Sequence, residues 1–410
     1  MLRTSAWPEM QPAPLVPIMI VVGERSGDVY GARLAACLKN CRSDLALFGC
    51  GGELMRQRGV ETLADLQQFA MVGITEVISG LPAARRAFYR LVRGARERRP
   101  RLAVLIDSPS LNMRLAKRLK KLGIPVLYFV SPQIWAWKKW RLRQLPGLVD
   151  RMVCIFEFEE KIYQRAGIPV DYVGHPLVDS VRPRLSREEF FRQTGLDPAF
   201  PTVALLPGSR EIEISYILPA LLEAAARLSE KRTLQWVIAV APTLDAHKVE
   251  AALRGGPPIR ANIRLAVDST YDALAWSDVA VVASGTATVE AALLERPMVV
   301  VYRVSPVTAF FARWMLDVPF YSMVNILAGK KIVEELVQKD LTPARLVNEL
   351  ERLLDADAGS AQGEELRRVK ERLGKAGAIE RAAAIVLRMA GNPGAAAVIA
   401  GADTTARALP

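Results

Sequence analysis

The chain of 410 residues is 51% hydrophobic and 24% charged, which excludes a globally disordered chain and is typical of two globular domains. Its formal net charge of +12 indicates an anionic partner, such as a nucleic acid, a membrane surface or a phosphorylated substrate. Four cysteines and two histidines, without a C-x-x-C spacing, exclude a disulfide framework and a Cys/His zinc site, and they predict a cytosolic protein.

Residues 1–16 have prolines and no apolar stretch after their single arginine, which predicts a flexible leader and not a signal peptide. Beyond them, short runs of Val, Ile and Leu alternate with segments of helical length, the pattern of βα units around parallel sheets. The first half has predicted strands at 18–22, 45–48, 102–106, 126–130 and 152–156, and predicted helices at 28–38, 83–98, 113–122 and 157–166. The second half has predicted strands at 203–206, 235–240, 263–266, 279–283 and 298–302, with helices between them.

A domain boundary is predicted near residues 176–183, where a strand end is followed by prolines. The two domains are then residues 17–177 and 178–390, and the Ala/Gly-rich residues 391–410 form a disordered tail. The segment from 342 to about 389 reads as helical. The longest uncharged stretch, 122–137, contains Gly and Pro and is shorter than the roughly 20 residues that span a bilayer.

The surplus of positive charge lies entirely in the first half, because residues 1–175 hold 27 Lys and Arg against 15 Asp and Glu. Much of it comes from residues 81–101, where eight arginines accompany one acid, Glu97. At ~100° per residue, the apolar side chains of this segment share one face and most arginines the other. The apolar face is predicted to hold Leu81, Ala84, Phe88, Leu91, Val92 and Ala95. This basic amphipathic helix is either an ordinary crossover helix with its arginines in water or a contact with an anionic surface.

The first predicted strand ends in GERSGD, residues 23–28, a turn without the G-x-G-x-x-G spacing of a dinucleotide site. Ser26 or Asp28 can cap the following helix, and Glu24 can line the ligand cleft at a strand end. The third predicted strand ends in LIDSPSLN, which puts Asp107 at its carboxyl end, with a proline that prevents immediate continuation into a helix. Asp107 is either a loop or cap residue or a general base whose pKa the apolar walls raise.

Residues 128–145, YFVSPQIWAWKKWRLRQL, interleave three tryptophans with cations. Such a segment can stack bases, stack a sugar or lie at a membrane interface. The simpler alternative is that Trp135 or Trp137 packs in the core.

The second half carries two signals for anion binding. LLPGSR, residues 205–210, and VVASGTATVEAALL, residues 281–294, each combine a strand, a small turn and a helix. Gly208 permits a tight turn, Ser209 and backbone amides can reach a phosphate, and Arg210 adds a forked donor. In the second motif the helix N-terminus favours a diphosphate and Glu290 can accept from ribose hydroxyls. Each turn alone can be a simple helix cap, but the pair favours a nucleotide diphosphate.

The chain resembles the lipid-A-disaccharide synthase family from about residue 18 to 389. The resemblance rests on GERSGD, FGCGGELM, MVGITEV, IDSPSLN, YFVSPQIWAWKKWR, YVGHPLVD, LLPGSREIEI, SGTATVEAAL and VYRVSP with VNILAG. It implies an α/β GT-B architecture of two Rossmann-like domains facing a cleft, with a C-terminal helix crossing back to the first domain. It also implies an inverting hexosyltransferase that moves 2,3-diacylglucosamine from its UDP derivative to 2,3-diacylglucosamine 1-phosphate, forming the β-1,6-linked disaccharide 1-phosphate of lipid A and UDP.

The resemblance also implies roles for single residues. Asp107 matches a catalytic aspartate, and the rival base is His175, whose imidazole ordinarily titrates near neutrality. Residues expected around the acceptor are Glu24, Ser26, Asp28, Asn112 and His175. Residues expected to bind UDP are Ser209, Arg210, Ser284, Gly285, Thr286, Thr288, Glu290, Asn325 and Glu335, the last in a helix.

The chain departs from the family pattern at Ser110, Val324 and Glu334. Ser110 replaces an acid, which leaves Asp107 as the only carboxylate of its loop and argues against a mechanism with an acid pair. Val324 replaces a proline before Asn325 and makes the nucleotide assignment there weaker.

The expected activity needs no cofactor and no metal, because helix N-termini and Arg210 can neutralise the leaving diphosphate. The first domain is expected to hold the acceptor and to meet an anionic membrane through Arg85, Arg86, Arg90 and Arg93. The second is expected to bind the UDP-sugar. The protein is then cytoplasmic, peripheral on the inner face of the inner membrane of a Gram-negative bacterium, without a nucleic-acid partner and possible as an oligomer. The alternatives are a UDP-N-acetylglucosamine 2-epimerase-type isomerase and a nucleic-acid-binding protein.

Overall fold

The computed structural model describes residues 15–69, 74–132, 139–305 and 319–391, with the side chains of all of them except 74–80 and 139–141. The described residues up to Pro176, together with those from Ala376 onward, form one compact unit, and Leu177–Lys375 form most of a second. The described helices include none with the length and hydrophobicity of a membrane span.

The first unit is built on a seven-stranded parallel sheet of order β3-β2-β1-β4-β5-β6-β7. Its strands are β1 Val16–Val22, β2 Leu45–Gly51, β3 Glu61–Asp65, β4 Leu102–Ile106, β5 Val126–Phe129, β6 Arg151–Cys154 and β7 Val170–Tyr172. Its helices are α1 Arg25–Cys41, α2 Glu53–Gln57, α3 Ile74–Arg98, α4 Pro109–Lys121 and α5 Glu157–Arg165. The five predicted strands are confirmed, and the two edge strands β3 and β7 are additional.

The central strands are buried on both faces of the sheet, which explains why their sequences are continuous apolar runs. Every residue of β4 is fully buried, as are Ile18–Val22 of β1, because helices cover both faces of the sheet. Leu91 and Ala95 of α3 join Leu115 and Leu119 of α4 in this core. Burial of the apolar face of α3 confirms its amphipathic character.

Two details of these helices differ from the expectation. Leu81 is 58% exposed and does not belong to the buried face of α3. The helix itself begins at Ile74, whereas the sequence predicted its start at residue 83. Pro109 does not delay α4 but opens it. Proline fits the first helical turn because the amide it lacks has no partner within the helix there.

The second unit has a six-stranded parallel sheet of order β10-β9-β8-β11-β12-β13. Its strands are β8 Thr202–Leu206, β9 Gln235–Val240, β10 Ile263–Val267, β11 Val279–Ala283, β12 Met298–Tyr302 and β13 Glu334–Val337. Its helices are α6 Arg187–Thr194, α7 Glu211–Lys231, α8 Ala246–Arg254, α9 Thr270–Trp276, α10 Thr286–Leu293, α11 Met323–Ala328, α12 Pro343–Leu353 and α13 Ala356–Arg372. The five predicted strands are again confirmed, and β13 is additional.

The last helix, α14 Ala378–Met389, belongs to the first unit although it follows the second in sequence. Its Arg381 guanidinium donates to the carbonyl of Val173 from Nε at 3.0 Å and from Nη2 at 2.8 Å. The three helices after residue 342 confirm the helical C-terminal segment.

Candidate functional site

Each sheet contains one point at which the direction of strand addition reverses. In the first sheet this switch point lies between β1 and β4, and in the second between β8 and β11. Open α/β sheets bind ligands beyond the carboxyl ends of the strands at such a point. Four sequence motifs follow these four strands, namely GERSGD, LIDSPSLN, LLPGSR and VVASGTATVEAALL. The strand order therefore pairs the motifs, two in each unit.

Asp107 follows β4 at the switch point of the first sheet. Both Asp107 and Ser108 have positive φ angles, 50° and 45°, in the left-handed region that non-glycine residues rarely adopt. Burial raises the pKa of Asp107 to about 7, and the charge of Glu24 contributes to the same shift. The expected upward shift is confirmed. A carboxyl with this pKa is suited to accept a proton near neutral pH.

Glu24 changes the expectation that Asp107 acts without a second acid. The loop after β4 contains no other carboxylate, but Glu24 follows the neighbouring strand β1 and acts on Asp107 through its charge. The acid at this site comes from a segment far away in sequence. Ser110 therefore leaves Asp107 as the only carboxylate of its own loop, as expected, while Glu24 of the neighbouring turn adds a second negative charge near it.

The backbone of Asp107 is held by three neighbouring groups. Its amide donates to the carbonyl of Phe129 at 3.0 Å. Its carbonyl accepts from Tyr128 Oη at 2.5 Å and from Asn112 Nδ2 at 2.8 Å. Asn112 also donates to the carbonyl of Ile106 at 3.0 Å and is fully buried. The amide nitrogen of Asn112 therefore binds the backbone of the loop that contains Asp107, whereas the resemblance implied a place for Asn112 beside the acceptor.

The residues of the GERSGD turn separate into exposed and buried ones. Glu24 and Ser26 are exposed. Asp28 is buried, and its carboxylate accepts from the amides of Gly52 at 2.7 Å and Leu54 at 3.2 Å. Asp28 therefore caps α2 instead of the helix in which it lies, and its carboxylate is used by the fold.

His175 does not have the property that made it the rival base. The side chain is only 3% exposed, and burial lowers the pKa of the imidazole to about 3. Its ring centroid lies 5.2 Å from that of Phe156. The expectation that His175 titrates near neutrality is wrong, because burial, which the sequence did not reveal, lowers its pKa.

The turn after β8 is organised by Glu213 of α7, a residue that the sequence analysis did not single out. Its Oε2 accepts from the amides of Ser209 at 2.9 Å and Arg210 at 3.3 Å, and its Oε1 lies 3.4 Å from Arg210 Nη1. Gly208 has a φ of +127°, and a Cβ there would lie 2.7 Å from the Cβ of Glu213, so the turn favours glycine. Among the described residues, Glu213 and no other group accepts from these two amides. The Arg210 side chain remains 59% exposed and can still reach an anion.

The loop after β11 differs from the turn after β8, because no described side chain fills the space beside its glycine, Gly285. Gly285 has a φ of +148°, and a Cβ there would meet no atom within 4 Å. Thr286 is exposed and begins α10, whose N-terminal amides favour an anion. Thr288 is fully buried and donates its hydroxyl to the carbonyl of Gly285 at 2.8 Å, so this hydroxyl is used within the turn. Ser284 Oγ donates to the carbonyl of Tyr321 at 3.0 Å.

Glu290 lies one helical turn after Thr286 on α10. Burial raises the pKa of its carboxyl, and a hydrogen bond from Tyr271 opposes that shift. Tyr271 Oη donates to Oε1 at 3.1 Å, and within the described part of the chain no donor reaches Oε2. Glu290 therefore retains an oxygen that can accept from a ligand hydroxyl.

Asn325 and Glu335 form a buried connection beneath the loop at residues 321–322. Asn325 is fully buried and uses all of its amide group, because Nδ2 donates to Val333 and Glu335 while Oδ1 accepts from the amides of Ile332 and Val333. Glu335 accepts from the amides of Tyr321 and Ser322, both at 2.9 Å. It lies in β13 and not in a helix, which corrects the sequence prediction. Both side chains hold the loop that Ser284 contacts.

A groove of about 1390 Å³ lies between α3 and the C-terminal end of α4. Seven cationic residues line it and no carboxylate does, namely Arg85, Arg86, Arg90, Arg93, Arg96, Arg118 and Lys121. The sequence identified the arginines of α3 as a basic face, but it did not identify the cations of α4 that line the other side of the groove. The 13-residue α4 begins beside Asp107 and ends at the groove, so its length of roughly 20 Å separates the two.

Of the tryptophan motif, Trp135, Trp137 and Lys138 lie outside the described residues. In the described ranges, no three His, Cys, Asp or Glu side chains are grouped as a metal site would require. An Asp-x-Asp pair is a spacing that can hold Mg²⁺, and the sequence contains one at Asp355 and Asp357. It lies at the start of α13, where the Asp355 side chain caps the helix.

Comparison with known proteins matches residues 18–388 to the family model described as Lipid-A-disaccharide synthetase. A Lipid-A-disaccharide synthase from Myxococcus xanthus (strain DK1622) is 44% identical over 376 residues, which cover 91% of this chain and 97% of that protein. Among solved structures, the calicheamicin glycosyltransferase CalG4 has a TM-score of 0.60 at 17% identity and covers 92% of this chain and 98% of its own. The UDP-GlcNAc 2-epimerase from Neisseria meningitidis bound to UDP-GlcNAc has a TM-score of 0.57 at 12% identity, with 92% and 100% covered. The two structures share the two-unit α/β fold of glycosyltransferases and epimerases.

Proposed function

The chain belongs to the lipid-A-disaccharide synthetase family, and on that premise we propose how its residues carry out the reaction. Its activity is that of a glycosyltransferase, a lipid-A-disaccharide synthase. The GT-B fold is shared with glycosyltransferases and with epimerases, but the epimerase alternative rests on distant structural likeness alone. The donor in the proposal is UDP-2,3-diacylglucosamine and the acceptor is 2,3-diacylglucosamine 1-phosphate.

Asp107 is the general base in this proposal. The 6-hydroxyl oxygen of the acceptor attacks the anomeric carbon of the donor from the face opposite UDP, and Asp107 takes the hydroxyl proton. The bond between the anomeric carbon and the phosphate oxygen breaks with its electrons moving to UDP, which inverts the configuration. The observation that carries this assignment is the pKa of about 7 at the switch point, produced mainly by burial. Glu24, close enough to act on Asp107, is the second acid of the acceptor site.

The second unit supplies the groups for UDP. The amides at Gly285 and Thr286, beside the empty space at Gly285, stabilise the diphosphate together with the dipole of α10 as charge develops on it. Arg210 adds an exposed cation, and Oε2 of Glu290, which no donor of the described residues reaches, accepts from the ribose. Ser209 offers its hydroxyl. Ser284, Thr288, Asn325 and Glu335 act by holding the loops, since their polar groups are engaged within the fold.

The division of labour follows from these assignments. Residues 17–177 handle the acceptor, and residues 178–390 bind the UDP-sugar. The helix α14 is part of the first unit's fold. In this proposal the protein works on its lipid acceptor at the inner face of the inner membrane of a Gram-negative cell.

The cationic groove is the proposed contact with anionic lipid. Arg85, Arg86, Arg90 and Arg93 line it together with cations of α4, and no carboxylate among its lining residues opposes them. Each cation near an anionic membrane surface contributes ~1 kcal/mol of binding. The distance along α4 between groove and Asp107 keeps the lipid contact apart from the reacting atoms. A nucleic-acid partner would also be anionic, but the family match gives it no role.

The groove is tested with vesicles of phosphatidylcholine alone and vesicles with added phosphatidylglycerol. The double variant Arg86→Ala/Arg93→Ala is expected to bind the anionic vesicles about 30-fold more weakly, because it loses ~2 kcal/mol. The matched control is Arg192→Ala/Arg254→Ala, which removes two exposed arginines of the second unit. Equal binding of the wild type to both kinds of vesicle would contradict the proposed contact.

The reaction itself is tested by incubating the protein with the UDP-diacylglucosamine donor and the monophosphate acceptor. Disaccharide 1-phosphate and UDP are expected in equal amounts, and Asp107→Ala is expected to form neither at a comparable rate. Conversion of UDP-N-acetylglucosamine without any acceptor would favour the epimerase instead. Unchanged turnover in Asp107→Ala would remove Asp107 from the role of base and leave the family activity intact.

A further inference from the structure

Tyr128 is a buried tyrosine whose hydroxyl reaches the loop after β4, which contains Asp107. It lies in β5, which pairs with β4, and its side chain is completely buried. Its hydroxyl donates to the carbonyl of Asp107 at 2.5 Å. Asn112 donates to the same carbonyl, and Phe129 accepts from the amide of Asp107. The backbone of Asp107 is therefore fixed on both sides, from a strand and from a helix.

The loop held in this way is strained. Asp107 and Ser108 are consecutive left-handed residues, neither of them glycine. Ser108 Oγ is buried and has no hydrogen-bond partner among the described residues. A Cβ at Gly23 would lie 2.7 Å from Ser108 Oγ, so the neighbouring turn leaves space for this conformation. Strained and unsatisfied groups persist only where the surroundings over-determine them, and they concentrate at functional sites.

We propose that Tyr128 is a positioning residue of the reaction, whose hydroxyl fixes the strained backbone of Asp107 so that the carboxyl meets the acceptor hydroxyl. This inference rests on the proposed role of Asp107 as the base. Tyr128 has no exposed surface and acts through Asp107 without touching substrate. A base displaced by about 1 Å can lose about 100-fold in rate, which is the scale of the expected effect.

The environment of Tyr128 keeps its hydroxyl a donor. Burial raises the pKa of Tyr128 well above its ordinary value, and the negative charges of Asp107 and Glu24 act in the same direction. The hydroxyl therefore stays protonated throughout the range in which Asp107 titrates, and the loop remains held in both states of the base.

The test compares Tyr128→Phe with Tyr163→Phe. Tyr163 is also completely buried in the first unit, and its hydroxyl donates to a backbone carbonyl, that of Pro132, at 2.8 Å. Tyr128→Phe is expected to lower kcat about 100-fold and to leave the KM for the UDP-sugar within about twofold. Tyr163→Phe is expected to keep kcat within about threefold, even if both variants lose similar thermal stability.

The pH profile separates positioning from a general loss of structure. Asp107 must be deprotonated to act, so kcat rises with pH through its pKa. In Tyr128→Phe the loop relaxes toward solvent, and the midpoint of this rise is expected to move below the wild-type midpoint near 7. A Tyr128→Phe enzyme with wild-type kcat and pH profile would overturn the inference. Equal losses of kcat in both tyrosine variants would also overturn it.

Two further variants keep the outcome decisive. If Tyr128→Phe does not fold, Ser108→Gly relaxes the same loop without losing a hydrogen bond. This variant is expected to lower kcat about tenfold at undiminished thermal stability, since glycine adopts the positive φ freely. Asp107→Asn tests the base separately. An active Asp107→Asn contradicts the proposed base, whereas an inactive Asp107→Asn beside a fully active Tyr128→Phe contradicts only the role of Tyr128.

Discussion

The two sheets place loops of opposite chemistry at the same topological position. The switch point of the first sheet carries two carboxylates, Glu24 and Asp107, the second of them buried and strained. That of the second sheet carries glycine turns, hydroxyls and Arg210, with free space beside Gly285 after β11. The same strand order thus creates a place for a ligand in each sheet. In the proposed function the loop residues decide that the first site takes up a proton and the second binds a diphosphate.

Because of this contrast, the two switch points can be tested separately. Changes at the first switch point are expected to alter proton transfer and leave UDP binding intact. Changes at the second are expected to do the reverse. A variant that altered both properties would break the comparison.

The largest effect is expected for Asp107→Asn. The amide has the shape of the carboxyl but cannot accept the proton, so kcat is expected to fall about 1000-fold. The dissociation constant of UDP, measured by calorimetry, is expected to remain at the wild-type value. A weakened UDP affinity in this variant would show that the two switch points do not act separately.

A smaller effect is expected for Glu290→Gln at the second switch point. Loss of a charged acceptor for the ribose is expected to cost about 2 kcal/mol and to weaken UDP binding roughly 30-fold. The midpoint of the pH profile of kcat should not move, because Asp107 is unchanged. The companion variant Tyr271→Phe removes the hydrogen bond to Oε1 and keeps the Glu290 carboxyl, so it serves as the control for local disturbance. Wild-type UDP affinity in Glu290→Gln would remove this residue from the site.

The turn after β8 is probed through Glu213. Glu213→Ala removes the acceptor for the amides of Ser209 and Arg210 and is expected to lower the free energy of unfolding by about 1 kcal/mol. Glu213→Gln keeps an acceptor oxygen but loses the charge, so it is expected to fold normally and to bind UDP about threefold more tightly. Thermal denaturation and UDP titration of the pair measure both effects. A weaker UDP affinity in Glu213→Gln would mean that the carboxylate itself is required for binding.

The smallest effect is expected for Glu24→Gln. Its negative charge contributes to the raised pKa of Asp107, so neutralising it lowers that pKa. The acid limb of kcat is expected to move slightly toward lower pH, because burial is the larger cause and remains. A shift toward higher pH, read from initial rates, would contradict this assignment.

The sequence predicted the central strands and the motifs at their ends, because buried parallel strands read as uninterrupted apolar runs. It did not predict β3, β7 and β13, which are short strands at or near the sheet edges with partly exposed residues. It located the arginines of α3 from their spacing. The cations of α4 on the other side of the groove could not be joined to them without the packing of the two helices.

Side-chain roles were harder to predict than positions. The effect of Glu24 on Asp107 depends on strand order, which residue spacing does not contain. Asp28 and Asn112 matched motifs, yet their polar groups bind backbone atoms of neighbouring segments. His175 was considered for its ordinary pKa, which burial changes. In each case the deciding quantity is a long-range contact.

The most direct test of the central claim is the turnover rate of the wild-type protein from pH 5 to 9 at saturating donor and acceptor. The account predicts that kcat rises with pH through a midpoint near 7, set by the buried carboxyl of Asp107, and then reaches a plateau. A rate that is level through pH 7, with its rise near the ordinary pKa of about 4 of an exposed aspartate, would contradict it.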